Sequence, residues 1–178
     1  MANNEVRIIG GQWRGRKLTF PGGAHLRPTL GRVRETLYNW LAPTIHGARC
    51  LDLYAGSGAL GFEALSRGAA EVTFVERDRK AAVALKKNAE MLGARATVVN
   101  VSAARFLAGN PDPFDLILFD PPFADEAAYE LLPELLDHFL TDSGLLYLET
   151  SKHRPLPLTE RVLKESKAGD CRFALYGH

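Results

Sequence analysis

The sequence predicts an α/β fold: a mostly parallel sheet with helices on both faces, an antiparallel hairpin on one edge, and a short β-hairpin and helix in front. Three observations carry this expectation. From Arg49 onward, short apolar runs alternate with helical stretches, and strands buried on both faces read as unbroken apolar runs. The last forty residues change character, with two strand-like runs and no long helix between them. Residues 6–20 hold two further strand-like runs around the breakers Gly10, Gly11 and Gly15.

In chain order, strands are expected at 6–9 and 17–20, followed by a Gly/Pro-rich loop at 21–30. A helix over 32–41 follows, because Val33, Leu37, Trp40 and Leu41 recur at helical spacing and Pro43 stops it. The alternating region then gives strands at 50–53, 71–75, 97–101, 116–119 and 145–149. The helices between them are expected at 59–67, 79–92, 103–108 and 126–139. Strand-like runs at 161–165 and 172–177 form the terminal hairpin. At 178 residues the chain is one compact unit, with residues 1–40 as a basic extension and 41–178 as the main body.

Composition excludes several classes. The hydrophobic share is 46%, that of a globular protein, and no apolar run is long enough to cross a bilayer. Residues 1–5 lack the apolar core of a secretory signal, so a cytoplasmic protein with no membrane partner is expected. Cys50 and Cys171 are too far apart to suggest a metal site or a disulfide framework, and Cys50 opens an apolar strand as a small hydrophobe. No metal is expected.

The net charge of +1 hides an asymmetry. Residues 1–40 hold seven Lys/Arg against two acids, a local +5, while the rest carries −4. Such an arm is either a solvated face or a grip on a polyanion.

Asp120-Pro121-Pro122-Phe123 follows the apolar run 114–119. Two prolines end a strand, since proline lacks an N–H and fixes φ, and Pro122 pushes Pro121 toward extended backbone. The stretch is either a Pro-rich turn with Phe123 in the core, or a receptor for an amino group on a flat base. In the second case the Asp120 carboxylate and a backbone carbonyl accept two N–H bonds while Phe123 stacks.

The run 51–61 places Gly56, Gly58 and Gly61 after the first core strand, and Glu76 ends the second strand twenty residues past Gly56. Glycines let the backbone approach a ligand, and an acid at that distance can take both hydroxyls of a ribose. The same pattern satisfies a dinucleotide fingerprint, so a nicotinamide-dependent oxidoreductase competes. Asp52 separates the two: it would repel a pyrophosphate, yet suits a cofactor with an ammonium and a sulfonium, such as S-adenosylmethionine. Asp52 also reads as a buried, hydrogen-bonded carboxylate at a helix start. Ser102 and Ala103 close the third strand, where a hydroxyl and an N–H can read an adenine edge or cap a helix.

On these residues the chain resembles the class I S-adenosylmethionine-dependent methyltransferases. More narrowly, it is similar to the bacterial enzymes that methylate N2 of one guanine in 16S ribosomal RNA. The likeness covers nearly the whole chain. It rests on Arg7-Ile8-Ile9-Gly10-Gly11, Arg14-Gly15-Arg16, Arg27-Pro28-Thr29, Arg32-Val33-Arg34-Glu35, the run 51–58 and Asp120-Pro121-Pro122-Phe123. It departs from the family at Gly31 and at Ser102, where an acid is common.

The resemblance implies a Rossmann-like, seven-stranded sheet and a basic extension that helps hold RNA. It implies S-adenosylmethionine contacts at Asp52, Tyr54, Gly56, Gly58, Glu76, Arg77, Ser102 and Ala103, with S-adenosylhomocysteine as the product. Catalysis falls to Asp120, Pro121, Pro122 and Phe123, and RNA binding to Arg7, Arg14, Arg16, Arg27, Arg32 and Arg34. The expected partner is 16S rRNA in a partly or fully assembled small subunit, met by a monomer. Adenine-N6 or DNA amino groups are the alternative substrates for the same motif.

Overall fold

The computed structural model describes residues 3–22 and 29–178. Elements run β1 (Asn3–Arg7), β2 (Lys17–Pro21), α1 (Gly31–Leu41), β3 (Arg49–Asp52), α2 (Ala59–Ser66), β4 (Glu71–Val75), α3 (Arg79–Leu92) and β5 (Ala96–Val99). They continue with α4 (Ala103–Ala108), β6 (Phe114–Phe119), α5 (Glu126–Tyr129), α6 (Leu132–His138), β7 (Leu140–Ser151), β8 (Val162–Ala168) and β9 (Cys171–Tyr176).

The main sheet has seven strands in the order β5-β4-β3-β6-β7-β9-β8. β5 through β7 pair in parallel, and β9 and β8 add antiparallel. This is the mostly parallel sheet with an antiparallel edge expected from the alternating pattern, and the seven-stranded Rossmann-like sheet that the resemblance implies. Because successive strand residues face opposite ways, it has two cores. Cys50, Leu116, Leu118 and Tyr147 face the arm, α1, α2 and α3. Leu51, Ile117, Phe119 and Leu148 face α4, α5 and α6.

Two elements differ from expectation. The single helix expected over 126–139 is two, α5 and α6, because Pro133 sits in the first turn of α6; proline is tolerated there but interrupts a continuous helix. β7 is twelve residues long and outgrows its apolar centre at both ends. An extension ending at residue 40 would also be cut inside α1, which runs to Leu41.

The arm does not stand apart from the body. Val6, Ile8, Leu18 and Phe20 of the β1–β2 hairpin are buried in the same core as Phe62 and Phe74. The Asn88 side chain on α3 accepts from Thr19 N at 3.2 Å and donates to Thr19 O at 2.9 Å, closing the open edge of β2.

The deepest fastening is Glu63 on α2, wholly buried. Its Oε1 accepts from Gly10 N (2.8 Å) and Arg67 Nε (2.9 Å), and its Oε2 from Ile9 N (3.0 Å) and Arg34 Nη1 (3.2 Å). Arg34 also donates to Arg7 O at 2.9 Å and to Thr29 O at 3.2 Å. Next to this, a Cβ on Gly11 (φ 76°) would lie 1.9 Å from Ser66 O, so only glycine lets the arm close onto α2.

Arg34 is therefore removed from the expected RNA contacts. Its side chain is buried, 4% exposed, and its Nε and Nη1 donate inside the protein. Breaking a buried, fully hydrogen-bonded ion cluster leaves uncompensated charge. Glu63→Ala is expected to destabilise the protein by about 3–5 kcal/mol. Urea denaturation followed by circular dichroism measures this, and a loss below about 1 kcal/mol would show the cluster to be dispensable.

Candidate active site

Sheet order reverses between β3 and β6. In open α/β sheets the crevice beyond the strand ends at such a point is where ligands bind. Two loops flank it here, one after β3 and one after β6.

The β3 loop turns through Gly56 (φ 52°) and Gly58 (φ 79°) into α2. A Cβ on Gly61 would meet Phe74 Cε1 at 2.3 Å and Asp52 Oδ2 at 3.0 Å, so glycine lets α2 lie close on the sheet. Asp52 is 1% exposed, and its Oδ2 accepts from Gly61 N at 3.0 Å. Burial, with Glu76 adding in the same direction and the Gly61 amide opposing, pushes its carboxyl up to about 7. Of the two roles expected for Asp52, the structure displays the buried carboxylate at a helix start, which holds the turn from behind.

Glu76 closes the turn from the other side. Its Oε2 accepts from Gly56 N at 2.8 Å and its Oε1 from Asp78 N at 2.7 Å. Arg77 next to it is exposed, and the Asn100 side chain pins this corner by donating to Glu76 O and Arg77 O. Ser102 is exposed and caps α4, its hydroxyl accepting from Arg105 N at 3.3 Å, while Ala103 is buried. Tyr54 is half-buried, its ring 5.7 Å from that of Phe119; burial and Asp125 push its hydroxyl up to about 12.

At the end of β6, Pro121 is buried and Pro122 exposed. Pro122 O accepts from Asp125 N at 2.9 Å, folding the loop back toward α5. Phe123 is 39% exposed, so it is not a core residue. Asp120 is partly exposed, and its Oδ2 accepts from Thr29 Oγ1 at 3.3 Å. Burial pushes Asp120 well above the usual carboxylate range, with Glu149 and Asp52 adding to the rise and the Thr29 hydroxyl opposing it.

Three participants were not singled out in the sequence. Thr29 brings the end of the arm onto Asp120. Glu149, on β7, is buried and accepts from Tyr147 Oη at 2.7 Å. Its sequence signal is shared with Asp52 and Asp120: an acid closing an apolar strand. Arg154 lies over the Tyr129 ring at 4.1 Å and pairs with Glu126 beside the Asp120 loop.

Of the arginines expected to meet RNA, Arg7, Arg14, Arg16 and Arg32 are exposed, although Arg7 Nη1 also donates to Gly15 O at 3.2 Å. Arg27 lies outside the described residues. Among the described residues no group of three or more His, Cys, Asp or Glu side chains is placed to hold a metal, and no helix is long and apolar enough to cross a membrane.

A Rossmann-like sheet with this glycine turn, a strand-end Glu76 and Asp-Pro-Pro-Phe across the crevice defines a class I methyltransferase. The comparisons make this specific. The family described as conserved hypothetical protein 95 matches residues 6–177. Ribosomal RNA small subunit methyltransferase D of Escherichia coli (strain K12) is 47% identical over 179 residues, covering 98% of this chain and 90% of that protein. Its Haemophilus influenzae counterpart is 46% identical over 183 residues, covering 98% and 95%. A 16S rRNA guanine-N2 methyltransferase from T. thermophilus, solved with S-adenosylmethionine and guanosine, superposes with a TM-score of 0.74 at 25% identity. That likeness covers 99% of this chain and 50% of that one. The chain belongs to the ribosomal RNA small subunit methyltransferase D family.

Asp52 makes a test of the burial argument. Its folded-state value of about 7 lies above the unfolded 3.8. It therefore contributes stability that is fully present below pH ~4 and lost as pH rises through ~7. The loss amounts to at most about 4 kcal/mol. Wild-type stability in urea is expected to fall more between pH 5 and pH 8 than that of Asp52→Asn. Equal pH dependence in the two would show that Asp52 titrates as a solvent-exposed acid.

Proposed function

We propose that the protein transfers a methyl group from S-adenosylmethionine to the exocyclic N2 of one guanine in small-subunit ribosomal RNA. The observation that carries this is Asp120 at the switch point, on the strand next to the one that leads into the glycine turn and touched by the end of the basic arm through Thr29.

The residues of the β3 side fit the cofactor. Glu76 is fixed by two amides, and each carboxylate oxygen keeps a second acceptor site for a ribose hydroxyl. With Asp52 behind the turn, the loop is acidic where a pyrophosphate would require donors. Tyr54, Arg77, Ser102 and Ala103 follow the ends of β3, β4 and β5 on the same side of the sheet, where the cofactor would lie. S-adenosylmethionine supplies an electrophilic methyl group on a sulfonium.

Everything else is done by the chain. Asp120 and the Pro121 carbonyl accept the two N–H bonds of the amine and turn its lone pair toward the methyl group. Phe123 stacks on the guanine once the base has left its helix. As the nitrogen becomes cationic its proton passes to Asp120. Arg7, Arg14, Arg16 and Arg32 hold phosphates and set the register, giving no base specificity themselves. The substrate is 16S rRNA in a partly or fully assembled subunit, met by a monomer.

Two substitutions separate the two sides of the crevice. Glu76→Ala is expected to weaken S-adenosylmethionine binding by about 1.5–3 kcal/mol, the worth of charge-assisted hydrogen bonds. Asp120→Ala should abolish transfer while changing cofactor affinity only a few-fold, since its contacts form mainly in the transition state. Calorimetry measures the first effect. The second is measured by methylation of 16S rRNA, free and in small subunits, with nuclease mapping of the modified base. Near wild-type turnover in Asp120→Ala would end the proposed role, an adenine product would change the substrate, and tight NADH binding would change the class.

The RNA grip is tested by salt. Charge reversal at Arg14 and Arg16 is expected to weaken RNA affinity and flatten its log–log salt dependence by about 0.7–0.9 per lost phosphate contact. Cofactor binding should be unaltered, because both side chains are exposed and far from the β3 turn in sequence. Identical slopes and intercepts would place the RNA elsewhere.

A further inference from the structure

Asp120 and Glu149 stand side by side at the open end of the sheet. β6 and β7 are parallel partners with Phe119 opposite Leu148. Asp120 and Glu149 directly follow that last pair, Asp120 just past the end of β6; Asp120 meets Thr29 of the arm, and Glu149 meets Tyr147 in the core on the arm's side of the sheet. Adjacent strands lie about 4.8 Å apart, so two carboxyls that follow one pair are close neighbours. The Thr29 hydroxyl donates to Asp120 Oδ2 at 3.3 Å, and the Tyr147 hydroxyl to Glu149 Oε2 at 2.7 Å. Glu149 is 7% exposed, flanked on β7 by the apolar Leu148. A buried carboxyl beside a second one costs stability, so the fold alone gives no reason for it.

Resting on the methyl-transfer reading of Asp120, we propose that Glu149 is a positioning residue for it: the two carboxyls share one proton, which makes Asp120 the stronger proton acceptor. An acid whose proton affinity approaches neutrality is a better acceptor for the proton released by the methylated amine than an ordinary carboxylate. Two carboxyls that cannot both ionise produce such an acid.

The surroundings agree. Asp52 on β3 adds a third carboxyl to the same face. Among the described residues, Tyr147 on β7, Cys171 on β9 and Tyr129 on α5 also sense Asp120, and Arg154 lies over Tyr129. Burial and the Glu149 charge push Asp120 up, while Glu149 is pushed up by burial and held back by the donor from Tyr147.

The test uses the full chain with 16S rRNA and S-adenosylmethionine. Glu149→Gln keeps the shape and removes the charge that disfavours ionised Asp120. The acid limb of the kcat–pH profile is expected to move down by about one pH unit or more, with a lower plateau. Thr29→Val removes a donor to ionised Asp120, so its limb should move up. A role confined to holding the strands would lower kcat or stability and leave both limbs where they are in wild type, and that result overturns the proposal. Carboxyl 13C titration reads the same pair without turnover. Two coupled steps are expected in wild type and a single, lower step for Asp120 in Glu149→Gln. Independent titration of the two groups in wild type also overturns it. Should the wild type transfer no methyl group, the methyl-transfer reading fails, while the titration still decides whether the proton is shared.

Discussion

The buried carboxylate of Glu63 organises the molecule. A lone acid inside a protein is very unfavourable, and four donors surround this one: two backbone amides of the arm and two guanidinium groups. Those donors come from the loop after β1, from α1 and from the end of α2. None of these segments can shift without exposing a charge to an apolar interior. The arm is consequently set in position by α2, the same helix that begins at the glycine turn. One end of α2 receives Asp52 through the Gly61 amide, and the other receives the arm through Glu63 and Ser66. Eight residues of helix span about 12 Å, so a short, stiff strut connects the cofactor side to the RNA side.

That strut explains why Thr29 can reach Asp120. Arg34 donates to Thr29 O from within the Glu63 cluster, and the Thr29 hydroxyl donates to Asp120. A continuous set of polar contacts runs from α2 through α1 to the strand end where chemistry is expected. The acids on this face, Asp52, Asp120 and Glu149, lie at or near the ends of three neighbouring strands. Burial makes each harder to ionise, and the charges of Glu149 and Asp52 add to the effect at Asp120.

Most of the main sheet was legible because its strands are apolar on both faces and its helices amphipathic. β4, α3 and α4 fall where their patterns place them. Glycine spacing and the diproline likewise marked the two loops of the crevice. What was hidden depends on partners distant in the chain. Arg34 belongs to a run of arginines that reads as a basic patch, and only the placement of Glu63 on another element shows it to be interior. Glu149 looks like the polar end of a strand until β7 is paired in register with β6. The break between α5 and α6 was carried by Pro133, a local signal outweighed by the apolar spacing around it.

The position of β9 imposes an order on biosynthesis. β9 follows β8 in the chain yet lies inside it, between β8 and β7. While residues 171–176 are still within the ribosome, β8 has no strand to pair with and β7 has one bare edge. The strand that carries Tyr147 and Glu149 thus acquires its outer neighbour late. Leu148 and Glu149 then gain Ala174 and Phe173 as their partners across the ladder. Nascent chains can assemble β3 through β6 and seat the arm on α2 early, but the wall beside Asp120 remains an open edge until then. The wall beside Asp120 is completed only once residues 171–176 are free to pair with β7.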